Sequence, residues 1–150
     1  MDFEIRTFRN DDLNQVMAIE KASFSDPYSE PFFWWLKLQV RENFIVAEAE
    51  KIVGYAISEI RGGRGHIISM AVSPDCRRAG VGGALLRESI TRLAPKVKKI
   101  YLEVRPGNEA AIMLYQKFSF RKTLEVRKRY YPDGEDALVM ARPSEITPSR

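Results

Sequence analysis

Residues 77–83 have the types and spacing of a turn that binds phosphate. The segment consists of Arg77, Arg78, Ala79, Gly80, Val81, Gly82 and Gly83, and it separates an apolar run from a helical pattern. Glycines let the backbone approach an anion closely. The free N–H groups and the dipole of a helical first turn favour negative charge, and arginines add charge-assisted hydrogen bonds. The segment therefore predicts an anion-binding strand–turn–helix unit.

The glycine spacing excludes two common phosphate-binding motifs. A P-loop requires Gly-Lys-Ser/Thr, whereas Gly82 is followed by glycine and alanine. A dinucleotide-binding turn requires a small third residue, where Leu85 stands when counted from Gly80. The remaining pattern, Arg77-x-x-Gly80-x-Gly82, resembles the Q/R-x-x-G-x-G/A motif of the GNAT superfamily of acyl-CoA-dependent N-acetyltransferases. By itself the pattern also fits a helix N-terminus whose glycines serve only the turn.

The composition of the chain predicts one compact domain with a substantial core. The chain has 150 residues, 45% of them hydrophobic. The aromatic run Pro31–Leu36 is far shorter than the ~18 residues of a membrane helix. The acidic N-terminus lacks a signal-peptide pattern, and the single Cys76 excludes an intramolecular disulfide and fits a reducing compartment. We therefore expect a cytoplasmic protein.

The charged and metal-binding side chains exclude further classes of protein. Cys76 and His66 are the sole cysteine and histidine, too few for a structural zinc site, so we expect no metal. The His66 side chain, at the start of an apolar strand, is interpreted as structural. The net charge is +4, and the densest basic groups, 96–99 and 127–129, are interpreted as mostly solvated faces.

Hydrophobic periodicity predicts eleven elements in the order βααβββαβαββ, a mixed α/β architecture. Asp12 and its neighbours predict a helix start, and Asn108 predicts an N-cap. The predicted strands are 3–7, 44–47, 52–57, 67–72, 99–104, Phe118–Arg129 and 137–141, and the helices begin near 10, 30, 81 and 108.

Two later segments make the resemblance to that family more specific. The segment Tyr101–Tyr115, LEVR-x-x-N-x-x-A-x-x-L-Y from Leu102 onward, resembles the RimI-like branch, although Ser119 replaces the usual glycine of the following turn. The segment from Tyr130 to Ala137 is similar to the YY-x-x-G-E-D-A segment of N-terminal acetyltransferases. The resemblance implies the GNAT fold, a mixed, mostly antiparallel sheet flanked by helices. It covers a single domain, residues 1–143, and residues 144–150 are expected to form a disordered tail.

The resemblance gives catalytic roles to two side chains that would otherwise have structural interpretations. Glu103 is the candidate general base, acting directly or through water. By residue type alone it is a strand carboxylate paired with Arg105 or a lysine. Tyr115 is the candidate general acid for the thiolate leaving group, whereas periodicity alone favours a core aromatic.

Binding residues for acetyl-CoA and for the acceptor also follow from the resemblance. Backbone N–H groups of 70–72 would meet the thioester carbonyl, residues 78–83 would cradle the pyrophosphate, and Asn108 would bond the pantetheine arm or only cap its helix. The implied acetyl-CoA-binding set is Met70, Ala71, Val72, Arg77, Arg78, Ala79, Gly80, Val81, Gly82, Gly83, Asn108 and Tyr115.

The acceptor is expected to contact Tyr28 in the loop 24–30, together with Tyr130 and Tyr131. Because neighbours on one strand face opposite sides, at most one of the paired tyrosines would point into the groove, and Tyr131 is favoured. Asp26 or Glu30 is a further candidate for contact with the α-ammonium group.

These residues predict an acetyl-CoA-dependent enzyme that acetylates protein N-termini, with ribosomal proteins among the candidates, by direct transfer in a ternary complex. An α-amino group has a pKa of ~7.7–8.0 against ~10.4 for lysine, so it is the easier nucleophile. We expect a monomer or weak homodimer, alone or with an auxiliary subunit, and no membrane or specific nucleic-acid partner. Two alternatives stay open: a GNAT enzyme acting on lysine side chains or a small amine, and a non-catalytic basic module that binds RNA or ribosomes.

Overall fold

The computed structural model describes residues 1–145 and contains the eleven helices and strands predicted by the sequence, in the predicted order. The strands are β1 (Glu4–Thr7), β2 (Phe44–Glu48), β3 (Ile52–Arg61), β4 (Arg64–Val72), β5 (Lys99–Val104), β6 (Arg121–Arg127) and β7 (Ala137–Pro143). The helices are α1 (Leu13–Ser23), α2 (Glu30–Val40), α3 (Val81–Leu93) and α4 (Glu109–Lys117). Within residues 1–145 no helix is both long and apolar enough to cross a membrane.

The seven strands form one sheet in the order β1-β2-β3-β4-β5-β7-β6. Neighbouring strands run antiparallel except β4 and β5, which are parallel. That parallel pairing joins only Gly65–Ile67 to Ile100–Leu102. Beyond Ile67 the edge of β4 is no longer paired with β5, so the sheet opens between its two halves.

The helices cover the two halves of the sheet differently. Helices α1 and α2 bury one face of β2–β4 around Phe44, Tyr55 and Ile57. Helices α3 and α4 lie on the opposite face, against a cluster that includes Leu102 and Phe120 on the far side of the opening. Because side chains alternate along a strand, Glu103 points to the face of β5 opposite to Leu102.

The sixth predicted strand and its neighbouring turns differ from the structure. The predicted strand Phe118–Arg129 is too long at both ends, because Ser119 (φ 71°) and Arg129 (φ 50°) adopt left-handed backbone conformations that end an extended strand. The packed part of the chain includes Ser144, which is buried and whose N–H donates to the Lys98 carbonyl at 2.9 Å. The remainder of the predicted tail, 146–150, lies outside the described residues.

Candidate active site

The predicted anion-binding turn lies between the end of β4 and the first residue of α3. Gly80 is the N-cap and has φ 84°, a conformation that L side chains adopt only with strain. Arg78 is also left-handed, at φ 67°. The Arg77 Nε donates to the Val72 carbonyl at 3.3 Å, which ties the turn to its strand. The turn thus presents the first N–H groups of a 13-residue helix beside two exposed arginines.

The second glycine of the motif leaves space that a side chain would fill. A Cβ on Gly82 would lie 3.4 Å from Leu114 Cδ2 and 3.7 Å from Val72 Cγ2, both ordinary contacts. The protein interior therefore does not require glycine at this position. Glycine here instead keeps the backbone of the first helical turn accessible, which is what the approach of a phosphate group requires.

The opening between β4 and β5 begins next to this turn. Met70, Ala71 and Val72 lie on β4 beyond its last pair with β5, at Ile67. They pair with β3 on one side, at Ala56, Tyr55 and Gly54 respectively. Their other edge is free of the β5 ladder, so its backbone groups can bond a ligand that enters the opening.

The side chain of Glu103 is 6% exposed, lies on the face of β5 opposite to Leu102, and is held by two cationic side chains. Its Oε1 accepts a hydrogen bond from His66 Nε2 at 2.7 Å, and its Oε2 accepts one from Arg127 Nε at 3.0 Å. The other ring nitrogen of His66 lies 2.8 Å from Glu59 Oε2. The ring of His66 also stacks on that of Tyr101, 4.5 Å away. The result is a network that crosses β3, β4, β5 and β6.

The electrostatics of this network favour the charged forms of both central groups. Burial raises the pKa of Glu103, but hydrogen bonds and charge from His66 and Arg127 outweigh it, so the net pKa is lowered. Burial likewise lowers the pKa of His66, and its bonds to Glu103 and Glu59 outweigh that effect, so the net pKa is raised. Glu103 is therefore a carboxylate at neutral pH.

Tyr115 lies on α4 and packs into the cluster on the α3–α4 face, with its ring 6.0 Å from and edge-on to Phe120. Burial raises its pKa to about 12, so the phenol keeps its proton at neutral pH. Glu103 lies on the opposite face of the sheet from Tyr115. The opening between β4 and β5 leads from one face to the other. At the start of α4, Asn108 Oδ1 accepts from the Ala111 N–H at 3.2 Å, which confirms the predicted cap.

The loop that contains Tyr28 is anchored from beneath by a buried carboxylate. Glu20 on α1 is buried, and its Oε2 accepts from the Tyr28 N–H at 2.9 Å while its Oε1 accepts from the Tyr55 hydroxyl. Burial raises the pKa of Tyr28 to about 12, and the charges of nearby acidic side chains, Glu103 among them, add to the shift. The charge of Glu103 therefore acts on the Tyr28 hydroxyl group.

The paired tyrosines lie in a turn segment, 128–136, instead of on a strand, so the expectation that their rings face opposite sides is wrong. The Arg129 N–H donates to Asp136 Oδ1 at 2.9 Å, which stabilises the turn after β6. The rings of Tyr130 and Tyr131 are 5.0 Å apart and perpendicular. Burial first, and then the charge of Glu103, raises the pKa of Tyr130 to about 12. Burial and, to a lesser extent, the charge of Glu103 also raise the pKa of Tyr131, so the charge of the candidate base acts on both rings.

Arg105, just after β5, is the second departure from the sequence interpretation. Its guanidinium pairs with Asp133 and Glu135, not with Glu103. The arginine that pairs with Glu103 is Arg127, which the sequence assigned to a mostly solvated basic face. Asp26 pairs with Arg105 at 3.9 Å.

Sequence reasoning missed His66 as a neighbour of Glu103. The signal was the parallel register of β4 and β5, which sets His66 opposite Tyr101, two residues before Glu103 and on the same face.

Among residues 1–145 no group of three or more histidine, cysteine, aspartate or glutamate side chains is arranged to hold a metal ion. Cys76 is a buried free thiol whose pKa is raised by burial and by Asp75.

A sheet that opens between two parallel strands, with a glycine turn and the start of a helix at the opening, is typical of acyl-CoA-dependent acetyltransferases. Residues 7–120 match the family model described as acetyltransferase (GNAT) family. The chain belongs to this family.

The similar proteins include relatives from archaea and bacteria. The chain is 36% identical to an N-alpha-acetyltransferase of Saccharolobus solfataricus, over 95% of this chain and 93% of the relative. It is 35% identical to the [ribosomal protein bS18]-alanine N-acetyltransferase of Escherichia coli, over 93% and 96%. The crystal structure of Ard1 from Thermoplasma volcanium matches with a TM-score of 0.90 at 29% identity, over 95% and 98% of the two chains.

Proposed function

We propose that this acetyltransferase transfers the acetyl group of acetyl-CoA to the free α-amino group of protein N-termini, with ribosomal proteins among the candidate substrates. The observation that carries the proposal is the Glu103 carboxylate, whose side chain is 6% exposed and is held by His66 and Arg127. Relatives at 35–36% identity are named as N-alpha-acetyltransferase and as [ribosomal protein bS18]-alanine N-acetyltransferase, which supports this reaction.

The donor would bind along the opening between β4 and β5. The N–H groups at the start of α3, with Arg77 and Arg78, suit the pyrophosphate. Backbone groups of 70–72 suit the pantetheine amides and the thioester carbonyl, where negative charge develops during attack. Asn108 already caps α4 through Oδ1, and its amide N–H groups remain as donors toward the pantetheine arm.

Glu103 would attract the substrate ammonium and accept its proton, directly or through one water. Because its pKa is lowered, the carboxylate is a weak base toward a resting ammonium. The α-amino group, with a pKa of ~7.7–8.0, is already partly neutral at cytoplasmic pH, and its nitrogen becomes more acidic as it bonds to the carbonyl carbon. A lysine side chain, at ~10.4, would present far less neutral amine to the same site.

Tyr115 would donate a proton to the departing thiolate. Its raised pKa of about 12 keeps the proton available at neutral pH. The acyl group would pass directly to the amine, because the thiol nearest the glycine turn, Cys76, is buried with a raised pKa and is a poor nucleophile. Both substrates must then bind together.

A direct test uses short peptides in pairs with free and acetyl-blocked N-termini, with the first two residues varied, and follows CoA release. The proposal predicts release only with free N-termini, and the preferred first residues identify the substrate class. Equal release with blocked peptides that contain lysine would contradict it.

We also propose a cytoplasmic, monomeric or weakly dimeric enzyme. Sedimentation of the purified protein would test the oligomeric state, and fractionation of cells would test the location.

A further inference from the structure

Arg105 follows β5 two residues after Glu103 and contacts both segments that would hold the acceptor peptide. We infer that Arg105 is a positioning residue that joins the α1–α2 loop, 24–29, to the turn segment 128–136 and so builds one wall of the peptide groove. The inference rests on the proposed function. Arg105 itself is not expected to touch the reacting atoms.

The contacts with segment 128–136 are short and of two kinds. Arg105 Nη1 donates to Asp133 Oδ2 at 2.9 Å and to Glu135 Oε1 at 2.7 Å. The guanidinium carbon lies 3.9 Å from the centroid of the Tyr131 ring. Charge-assisted hydrogen bonds and cation–π contact thus act together on the residues around the paired tyrosines.

The contact with the α1–α2 loop comes from the other terminal nitrogen. Arg105 Nη2 lies 3.9 Å from Asp26 Oδ1, two residues before Tyr28. The same loop is held from the side of α1, where Glu20 accepts from the Tyr28 N–H. Arg105 therefore supplies a link from the loop across to the opposite side of the groove, and that link starts from the end of a core strand.

Three carboxylates surround this one guanidinium, so its charge is already balanced within the protein. Its pKa is raised, first by the hydrogen bond to Glu135. A site for an anionic part of the substrate would need a cation whose charge is not already balanced by carboxylates. Arg105 and Glu103 also belong to separate ion-pair groups, because the cations on Glu103 are His66 and Arg127. Loss of Arg105 should thus leave the ionisation of the candidate base unchanged.

The chemistry of the cluster requires arginine and not simply a positive charge. A planar guanidinium can stack on Tyr131 and donate to two carboxylates at once, whereas an ammonium is a compact point charge. Arg105→Lys should therefore recover only part of what Arg105→Gln loses.

The test compares Arg105→Gln, Arg105→Lys and the matched surface control Lys122→Gln, an exposed position on β6. We expect Arg105→Gln to raise the KM for peptide about tenfold, because it removes two partly exposed charge-assisted bonds and the cation–π contact together. The KM for acetyl-CoA, the kcat and its pH profile should stay within about twofold, and Lys122→Gln should behave as the wild type. Adding Glu135→Gln to Arg105→Gln should cost little more, since both act on one contact.

Hydrogen exchange supplies a readout of loop order that does not depend on activity. The N–H groups of Tyr131 and Gly134, which bond within the turn to the Glu135 and Tyr131 carbonyls, should exchange faster in Arg105→Gln. An unchanged peptide KM despite faster exchange would overturn the inference, as would a fall in kcat alone. A wild-type protein that acetylates no N-terminus would instead overturn the proposed function, and the inference with it.

Discussion

His66 Nε2 lies 2.7 Å from Glu103 Oε1, while the Nδ1 atom of the same ring lies 2.8 Å from Glu59 Oε2. Both acceptors are carboxylates, so both ring nitrogens must carry protons for each bond to form. The raised pKa of His66 agrees with this imidazolium form. The candidate base is thus held by a partner that is charged below its raised pKa and loses that charge above it.

The first prediction concerns stability and pH. His66 has a folded pKa raised above 6.5, so its contribution is fully present below the unfolded pKa and is lost as pH rises through the folded value. The free energy of unfolding of the wild type should therefore fall as the pH rises through the folded pKa of His66. His66→Gln should remove this fall. Denaturant unfolding between about pH 6 and 9 measures it. Parallel curves for the two proteins would show that the ring is not an imidazolium in the folded state.

The second prediction concerns the candidate base. Glu103→Gln should lower kcat by at least ~10²-fold, the usual contribution of a general base, with the KM for acetyl-CoA nearly unchanged. The exposed Glu50→Gln in the β2–β3 turn is the matched control. Steady-state kinetics across pH give the answer, and a variant with wild-type kcat at every pH would remove Glu103 from the mechanism.

The third prediction concerns the candidate acid. Tyr115→Phe keeps the ring that packs edge-on to Phe120 and loses only the hydroxyl, so thermal stability should hardly change. The chemical step should slow by ~10²-fold, as expected for loss of a proton donor to the thiolate. Single-turnover kinetics isolate that step. Full activity would return Tyr115 to a role in core packing.

The fourth prediction separates donor binding from folding. Gly82→Ala introduces a methyl group that meets only ordinary contacts with Leu114 and Val72, so the melting temperature should be maintained or rise, alanine being the better helix former. The affinity for acetyl-CoA should fall about tenfold or more, because the methyl group keeps a phosphate from the helical N–H groups. Calorimetric titration and thermal unfolding measure the two effects. Unchanged affinity would move the pyrophosphate away from this turn.

The fifth prediction concerns the turn after α4. Ser119 has φ 71°, the conformation for which the related motif uses glycine. Ser119→Gly should stabilise the fold by about 1 kcal/mol, which corresponds to a rise of ~2–4 °C in melting temperature for a chain of this size. Ser119→Ala keeps the strained Cβ and should give no gain. Equal melting temperatures for Ser119→Gly and Ser119→Ala would contradict the strain argument.

Local patterns in the sequence were sufficient for the element order and for the cap at Asn108. Both depend on residues that are close in sequence. The element order follows from hydrophobic periodicity, and the cap follows from a side chain that reaches the first turn of its own helix. The strand end near Arg129 could not be predicted in this way. The β-forming tyrosines that follow favour extension, but Asp136, seven residues further along, bonds the Arg129 N–H and stabilises a turn.

The partners of Glu103 depend on contacts between distant strands. His66 and Arg127 lie 37 and 24 residues away in sequence, and the side chains meet only because β4 pairs with β5 and β7 lies between β5 and β6. The sequence motif identified the carboxylate itself. Neither its cationic partners nor the lowered pKa that results from them could be derived without the strand register.

The most direct test of the central claim is acetylation of one peptide that carries both a free α-amino group and an internal lysine, with the modified nitrogen located by fragmentation mass spectrometry. The account predicts acetylation of the α-amino group with the lysine left free, because α-amines are ~2.5 pKa units less basic than lysine and the groove is expected to hold a chain terminus. Acetylation of the lysine with the N-terminus left free would contradict it.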